Sequence, residues 1–184
     1  GGQDLTSLPG DRSLLITFDD GYRNNLTEAL PVLERHEVPC LLFITTGFIN
    51  GAVYPYEIEL AEAIAQADAL SIPGRPGSVD LQDLTGCRSA YQELRLPLKS
   101  ASREKREVFM AQLAIQNGYE RADVQREPLL SWEEVRTLSE HPLVTIGAHT
   151  YSHVLLSRQS WRNAWKEIRI SKQQLEENIG KPVY

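Results

Sequence analysis

Three apolar runs without the polar alternation of a half-exposed strand set the fold class of this chain. They are Ser13-Leu14-Leu15-Ile16-Thr17-Phe18, Pro39 to Thr46, and Leu143-Val144-Thr145-Ile146. A strand buried on one face alternates polar with apolar residues, whereas a continuous apolar strand is covered on both faces, as in a parallel sheet flanked by helices. Helical patterns separate the runs. Asn24 to His36 carries Leu26, Leu30 and Leu33 at helical spacing, with Pro39 just beyond its end. Ser131-Trp132-Glu133-Glu134 is a capping box that opens a helix toward His141-Pro142. Ser160 to Asn178 reads as a long amphipathic helix with Trp161, Trp165, Ile168 and Leu175 facing the core, stopped by Gly180 and Pro182. Strand, helix, strand in this order predicts an α/β protein of parallel β/α units.

The alternation breaks between about 51 and 128. Helices are predicted from Tyr56 to Ala69 and from Ser102 to Asn117, the second capped by Gly118, with a Gly/Pro-rich stretch at Pro73-Gly74-Arg75-Pro76-Gly77 between them. This segment is expected to be an insertion packed over or beside the sheet, a surface excursion rather than a cap on a substrate. At 184 residues the whole chain fits one domain with a sizeable core.

Composition narrows the partners. A net charge of -6 without a basic stripe argues against nucleic acid and anionic membranes. The apolar runs fall far short of the ~20 residues that a membrane-spanning helix needs, so a soluble chain is expected, with cytoplasmic, cell-envelope and secreted locations all open. The start, Gly1-Gly2-Gln3-Asp4, has neither a basic nor an apolar leader, so a signal peptide is expected to be absent or already removed. Cys40, in an apolar run, reads as a buried free thiol, and a bridge to Cys87 has nothing in the sequence to support it.

Chemistry gathers at two strand ends. Thr17-Phe18-Asp19-Asp20-Gly21-Tyr22 follows the first strand and His149-Thr150-Tyr151-Ser152-His153 follows the third. In a parallel sheet the carboxyl ends of the strands share one rim, so these distant segments can meet in one crevice. Two histidines four residues apart project to one side if the segment coils into a helical turn, and a carboxylate from the other strand end completes two imidazoles and one carboxylate. Three protein ligands leave a fourth position open, which separates a catalytic metal site from a structural one.

These residues carry a resemblance. Thr17 to Gly21 spells TFDDG, and His149 to His153 spells the H(S/T)xxH pattern. Together they resemble the polysaccharide deacetylase family, which has the NodB homology domain and is also called carbohydrate esterase family 4. The likeness covers roughly 12 to 50 and 129 to 184. It implies a single, partial NodB-like domain over 1–184, an incomplete (β/α)7-type barrel of parallel strands with a helical insertion. It also implies one divalent metal ion, zinc being expected, held by Asp20, His149 and His153. Asp19 would be the catalytic base that takes a proton from the attacking water. Gly21 would permit a sharp turn beside the metal, and the Thr150 hydroxyl would hold the second loop by a local hydrogen bond. Tyr22 and Tyr151 are candidates for substrate contact, with packing an equal alternative. His36 and His141 sit at helix ends beside turn signals and read as last-turn residues rather than ligands.

The implied activity is metal-dependent hydrolysis of N-acetyl groups on an amino-sugar polysaccharide. An O-acetyl esterase or cyclic-amide hydrolase on the same scaffold, and a silent glycan-binding or assembly module, remain open beside it. The family's third motif, of Arg-x-x-x-Pro-Tyr type, normally follows a Gly-x-Pro-Val stretch like Gly180-Lys181-Pro182-Val183, and the sequence stops at Tyr184. That motif, the tryptophan-containing wall and the Leu-x-x-His segment supplying the catalytic acid are absent from these residues. The chain as it stands is therefore expected to show little turnover. Its open parallel edge would be relieved by homo-oligomerisation or strand exchange.

Overall fold

A computed structural model describes residues 14–121 and 128–183. Ser13, Tyr184 and residues 122–127 of the expected insertion lie outside the described residues. In chain order the elements begin with β1 (Ile16–Phe18), a π-helical turn (Asn25–Ala29), α1 (Leu30–His36), β2 (Cys40–Ile44), α2 (Thr46–Ile49) and α3 (Tyr56–Ala65). Then come β3 (Ala69–Ser71), β4 (Ser78–Asp80), α4 (Leu84–Ser100), α5 (Arg103–Asn117), α6 (Trp132–Glu140), β5 (Val144–Ala148), a 3-10 turn (Leu156–Arg158) and α7 (Trp161–Ile179). The chain divides into two compact units, one of 1–52, 128–153 and 159–184, the other of 53–127 and 154–158.

The first unit is built on a three-stranded parallel sheet of order β1-β2-β5. Its register sets Phe18 beside Leu42 and Ile44 beside Ala148. One face is covered by helices: Cys40, Leu42 and Ile44 of β2 cluster with Leu30 and Leu33 of α1, Val135 and Leu138 of α6, and Leu175 of α7. Each such side chain contributes about 1.5–3 kcal/mol relative to leaving it in water. The other face is covered less than the continuous apolar runs predict. Thr17 and Thr145 are exposed, and Leu41 and Phe43 between them are half-buried. In a closed barrel that face points inward, but the described strands form an open three-stranded sheet. The barrel is incomplete.

Two helices differ from expectation. The run from Asn24 opens as a π-helical turn before α1, because Pro31 has no N–H to give the carbonyl of Thr27. Trp161, Trp165 and Ile168 do not face the core: they are 83%, 50% and 47% exposed, whereas Leu175 is fully buried. The inward stripe of α7 instead runs through Ala164, Glu167, Ser171 and Leu175, again at helical spacing but rotated. A polar residue takes an inward position there because Glu167 satisfies backbone donors, described below.

The second unit has its own core. Tyr56, Leu60 and Ile64 of α3 pack with Leu70 of β3, Ala90 and Leu94 of α4, and Met110 and Leu113 of α5. The predicted Gly/Pro-rich stretch connects β3 to β4 as an antiparallel hairpin. Residues 66–69, read as the end of α3, leave the helix and enter β3. Helix α4 has no counterpart in the sequence reading, since Gly86 and Pro97 interrupt its pattern; Asp83 caps it by accepting from the Gly86 N–H at 2.7 Å. Glu59, wholly buried, is held by Arg121 at 2.6 and 2.8 Å. Cys40 and Cys87 are free thiols, and burial pushes the Cys40 thiol pKa up. Among the described residues no helix is long and apolar enough to cross a membrane.

Candidate metal centre

Both motif loops bend over the carboxyl end of β2, the middle strand. After β1 the Gly21 N–H donates to the Asp19 carbonyl at 3.0 Å, closing a three-residue turn around Asp20, whose φ is +75°. Gly21 has φ +92°, and a Cβ there would lie 3.2 Å from Ile49 Cδ1 and 3.3 Å from Ile44 Cδ1, so its place in the motif has a steric reason. Flanking bonds hold this turn. The Thr45 N–H donates to the Asp20 carbonyl at 3.2 Å, the Leu130 N–H to the Gly21 carbonyl at 3.0 Å, and the Arg23 N–H to the Pro128 carbonyl at 2.7 Å.

An ion pair ties the same loop to α6. Arg23 Nε lies 3.1 Å from Glu134 Oε1, while Glu134 Oε2 accepts the Ser131 N–H at 2.7 Å in the predicted capping box. Partial burial opposes ionisation of Glu134, but the Ser131 bonds and the Arg23 charge outweigh it and hold the carboxyl below its ordinary range.

The second loop is not the helical turn that the histidine spacing suggested. Its backbone passes through the left-handed region at Thr150 (φ +64°) and His153 (φ +53°), each costing on the order of 1–3 kcal/mol unless its surroundings hold it. The Thr150 hydroxyl accepts the His153 N–H at 3.0 Å, a local bond of the kind expected for it. On the sheet side the His149 N–H donates to the Ile44 carbonyl at 2.9 Å, the Thr45 hydroxyl to the His149 carbonyl at 3.0 Å, and the Gly47 N–H to the Tyr151 carbonyl at 2.8 Å. On the helix side Glu167 of α7 accepts the Tyr151 and Ser152 N–H groups on Oε2 at 3.0 and 2.7 Å, and the Ser152 hydroxyl on Oε1 at 2.7 Å.

These loops bring Asp20, His149 and His153 together. Asp20 Oδ1 lies 3.5 Å from His149 Nε2 and 3.3 Å from His153 Nε2, and the three residues offer ligand atoms all within 4.8 Å of one another. Donors about 2.0–2.1 Å from a tetrahedral ion are about 3.4 Å apart, so the two Asp20-to-imidazole separations fit one ion. Two imidazoles and a carboxylate also suit zinc chemically. The imidazole rings stand 5.3 Å apart, and Phe48 packs edge-on to His153 at 5.6 Å, orienting that ring.

Asp19 is exposed, and with Asp20, Tyr22 and Asn25 it lines an open cleft of about 640 Å³ along β1 and the π-helical turn, whose lining does not include His149 or His153. Tyr22 also forms an antiparallel bridge with Leu129. Tyr151 is half-buried and is placed by its backbone bonds. His36 stands in the last turn of α1, and His141 caps α6 with its Nε2 3.0 Å from Glu34 Oε1; neither joins the ligand group. Sequence reasoning missed two residues. Thr45, fully buried, bonds to both motif loops, and its only signal is that it follows the middle strand. Glu167 left no such signal, because the face of α7 that turns inward follows from tertiary packing.

The family model for polysaccharide deacetylases matches residues 7–184. This chain belongs to that family. No curated protein sequence matches it. Among solved structures, the deacetylase PplD of Streptococcus pyogenes, determined in complex with acetate, is similar with a TM-score of 0.51 at 12% identity, over 97% of this chain and 46% of that one. The deacetylase domain of BpsB from Bordetella bronchiseptica aligns at a TM-score of 0.44 and 11% identity, over 92% of this chain and 52% of that one. This chain thus spans about half the length of each of these structures, and the likeness to PplD is one of fold.

Proposed function

We propose that this chain supplies the metal-binding half of the catalytic rim of a metal-dependent hydrolase that removes N-acetyl groups from an amino-sugar polysaccharide. The observation that carries this reading is the convergence of Asp20, His149 and His153 at separations one ion can bridge, at the carboxyl ends of β1 and β5. When bound, a divalent ion such as zinc supplies Lewis acidity, lowering the pKa of water toward about 7 and polarising a carbonyl. Asp20 and the two histidines hold the ion. Asp19, exposed and lining the same cleft as Asp20, accepts the proton released by the attacking water. Tyr22, which also lines that cleft, contacts the glycan. Asp20 and Asp19 divide the work because a carboxylate committed to a cation is a poor base, while its exposed neighbour keeps its lone pairs for a proton.

The test uses the full-length protein. Acetate release from acetylated chitooligosaccharides is expected to exceed release from acetylated xylan, to stop on chelation and to return with zinc. Asp19→Asn should keep zinc and lose about 10²- to 10⁴-fold in turnover, whereas His153→Ala should lose zinc itself. Equal zinc loss in both variants would refute the division of roles, and activity unaffected by chelation would refute the metal reading.

A further inference from the structure

Resting on that metal reading, we infer that Glu167 is a positioning residue for the histidine loop, setting the two imidazoles before any ion arrives. Three donors converge on its carboxylate: the N–H groups of Tyr151 and Ser152 on one oxygen, and the Ser152 hydroxyl on the other. All three lie between His149 and His153, in a stretch bounded by the left-handed residues Thr150 and His153. Successive N–H groups pointing into one concavity form an anion nest, and a carboxylate fills it with charge-assisted bonds. Ser152 is 1% exposed, so water has little access to replace those bonds. The opposite side of the loop is held by Ile44, Thr45 and Gly47 at the end of β2 and in α2. Thus the loop is gripped between sheet and helix, and Glu167 is the helix side of the grip.

The rotation of α7 accompanies this contact. Apolar Trp161, Trp165 and Ile168 stay outside while a carboxylate faces inward. Burial of apolar surface alone would favour the reverse, and the inward face is the one whose Glu167 meets the backbone donors of the histidine loop.

The experiment compares the full-length wild type with Glu167→Ala and Glu167→Gln. In Glu167→Gln the amide oxygen can accept both N–H groups while its nitrogen donates to the Ser152 hydroxyl, so this variant should bind zinc within about threefold of wild type, taking tenfold as the smallest loss of an outer partner. Glu167→Ala should bind zinc about 10- to 100-fold more weakly. In the metal-free protein it should also speed amide exchange at Tyr151 and Ser152 relative to the core of β2. Cobalt substitution gives a spectroscopic readout of ligand geometry, expected to be altered in Glu167→Ala and preserved in Glu167→Gln. Folded Glu167→Ala with wild-type zinc affinity and unchanged exchange at the two amides would overturn the inference. So would zinc loss that merely tracks the unfolded fraction. If the wild type binds no zinc, the metal reading fails with it, whereas wild-type binding with an unaffected alanine variant defeats the positioning role alone.

Discussion

Gly147 lies in β5 directly beside Phe43 of β2, and the pair offers a quantitative test of how tightly the sheet is packed just before His149. A Cβ at position 147 would sit 2.5 Å from Phe43 Cδ1 and 2.6 Å from Cε1. Carbon contacts settle at about 3.5–4.0 Å, so Gly147→Ala requires the ring to retreat by about 1 Å. Phe43 is half-buried, which leaves it some freedom to do so. Overpacking of this kind costs about 1–3 kcal/mol, and for a chain of this length that lowers the melting temperature by about 2–12 °C. All three tryptophans, Trp132, Trp161 and Trp165, belong to the first unit, so intrinsic fluorescence follows the unfolding of that unit. Phe43→Leu removes the ring edge, and the double variant should recover most of the loss caused by Gly147→Ala, a coupling that neither single change explains. An unchanged melting temperature in Gly147→Ala, or a loss that Phe43→Leu leaves intact, would refute the steric reasoning.

Further outcomes follow from the same geometry. The Glu134 carboxyl is held below its unfolded value, near 4.3, by Ser131 and Arg23 against the cost of burial. Its stabilisation is therefore full above that value and is lost as pH falls through the lower folded pKa; urea titrations should show Glu134→Gln less stable than wild type at pH 7, with the gap closing in the acid range below about 4. A gap that widened on acidification would contradict the sign. Leu175→Ala, at a fully buried position of α7, should cost about 2–5 kcal/mol. Trp161→Ser, at 83% exposure, should change stability by no more than about 0.5 kcal/mol, and a core-sized loss in its urea midpoint would show that the tryptophan is covered after all.

Much of the chemistry was legible in the order of residues because it is local. TFDDG and HTYSH each sit at the end of an apolar run, and a parallel sheet places such ends on one rim whatever the intervening chain does. The capping box at Ser131 to Glu134 is likewise complete within four positions. The hairpin of β3 and β4 and helix α4 were not legible, since Gly and Pro mark turns without saying which flanking segments pair, and Gly86 and Pro97 lie inside a helix that tertiary contacts support.

What the sequence determined by itself was the class of the first unit, its strands and helices, and the identity of the three converging side chains. Periodicity and motif spacing are properties of neighbouring residues, so they survive without knowledge of the packing. Only the tertiary structure decided which face of α7 turns inward, that Thr45 bonds to both motif loops, and that Glu167 closes the loop between the histidines. The apolar pattern of α7 allowed two registers, one through Trp161, Trp165 and Ile168 and one through Ala164, Glu167 and Ser171, both ending on Leu175. The donors that the second register meets lie some fifteen residues upstream, where no helical period records them: Glu167 accepts the Tyr151 and Ser152 N–H groups and the Ser152 hydroxyl.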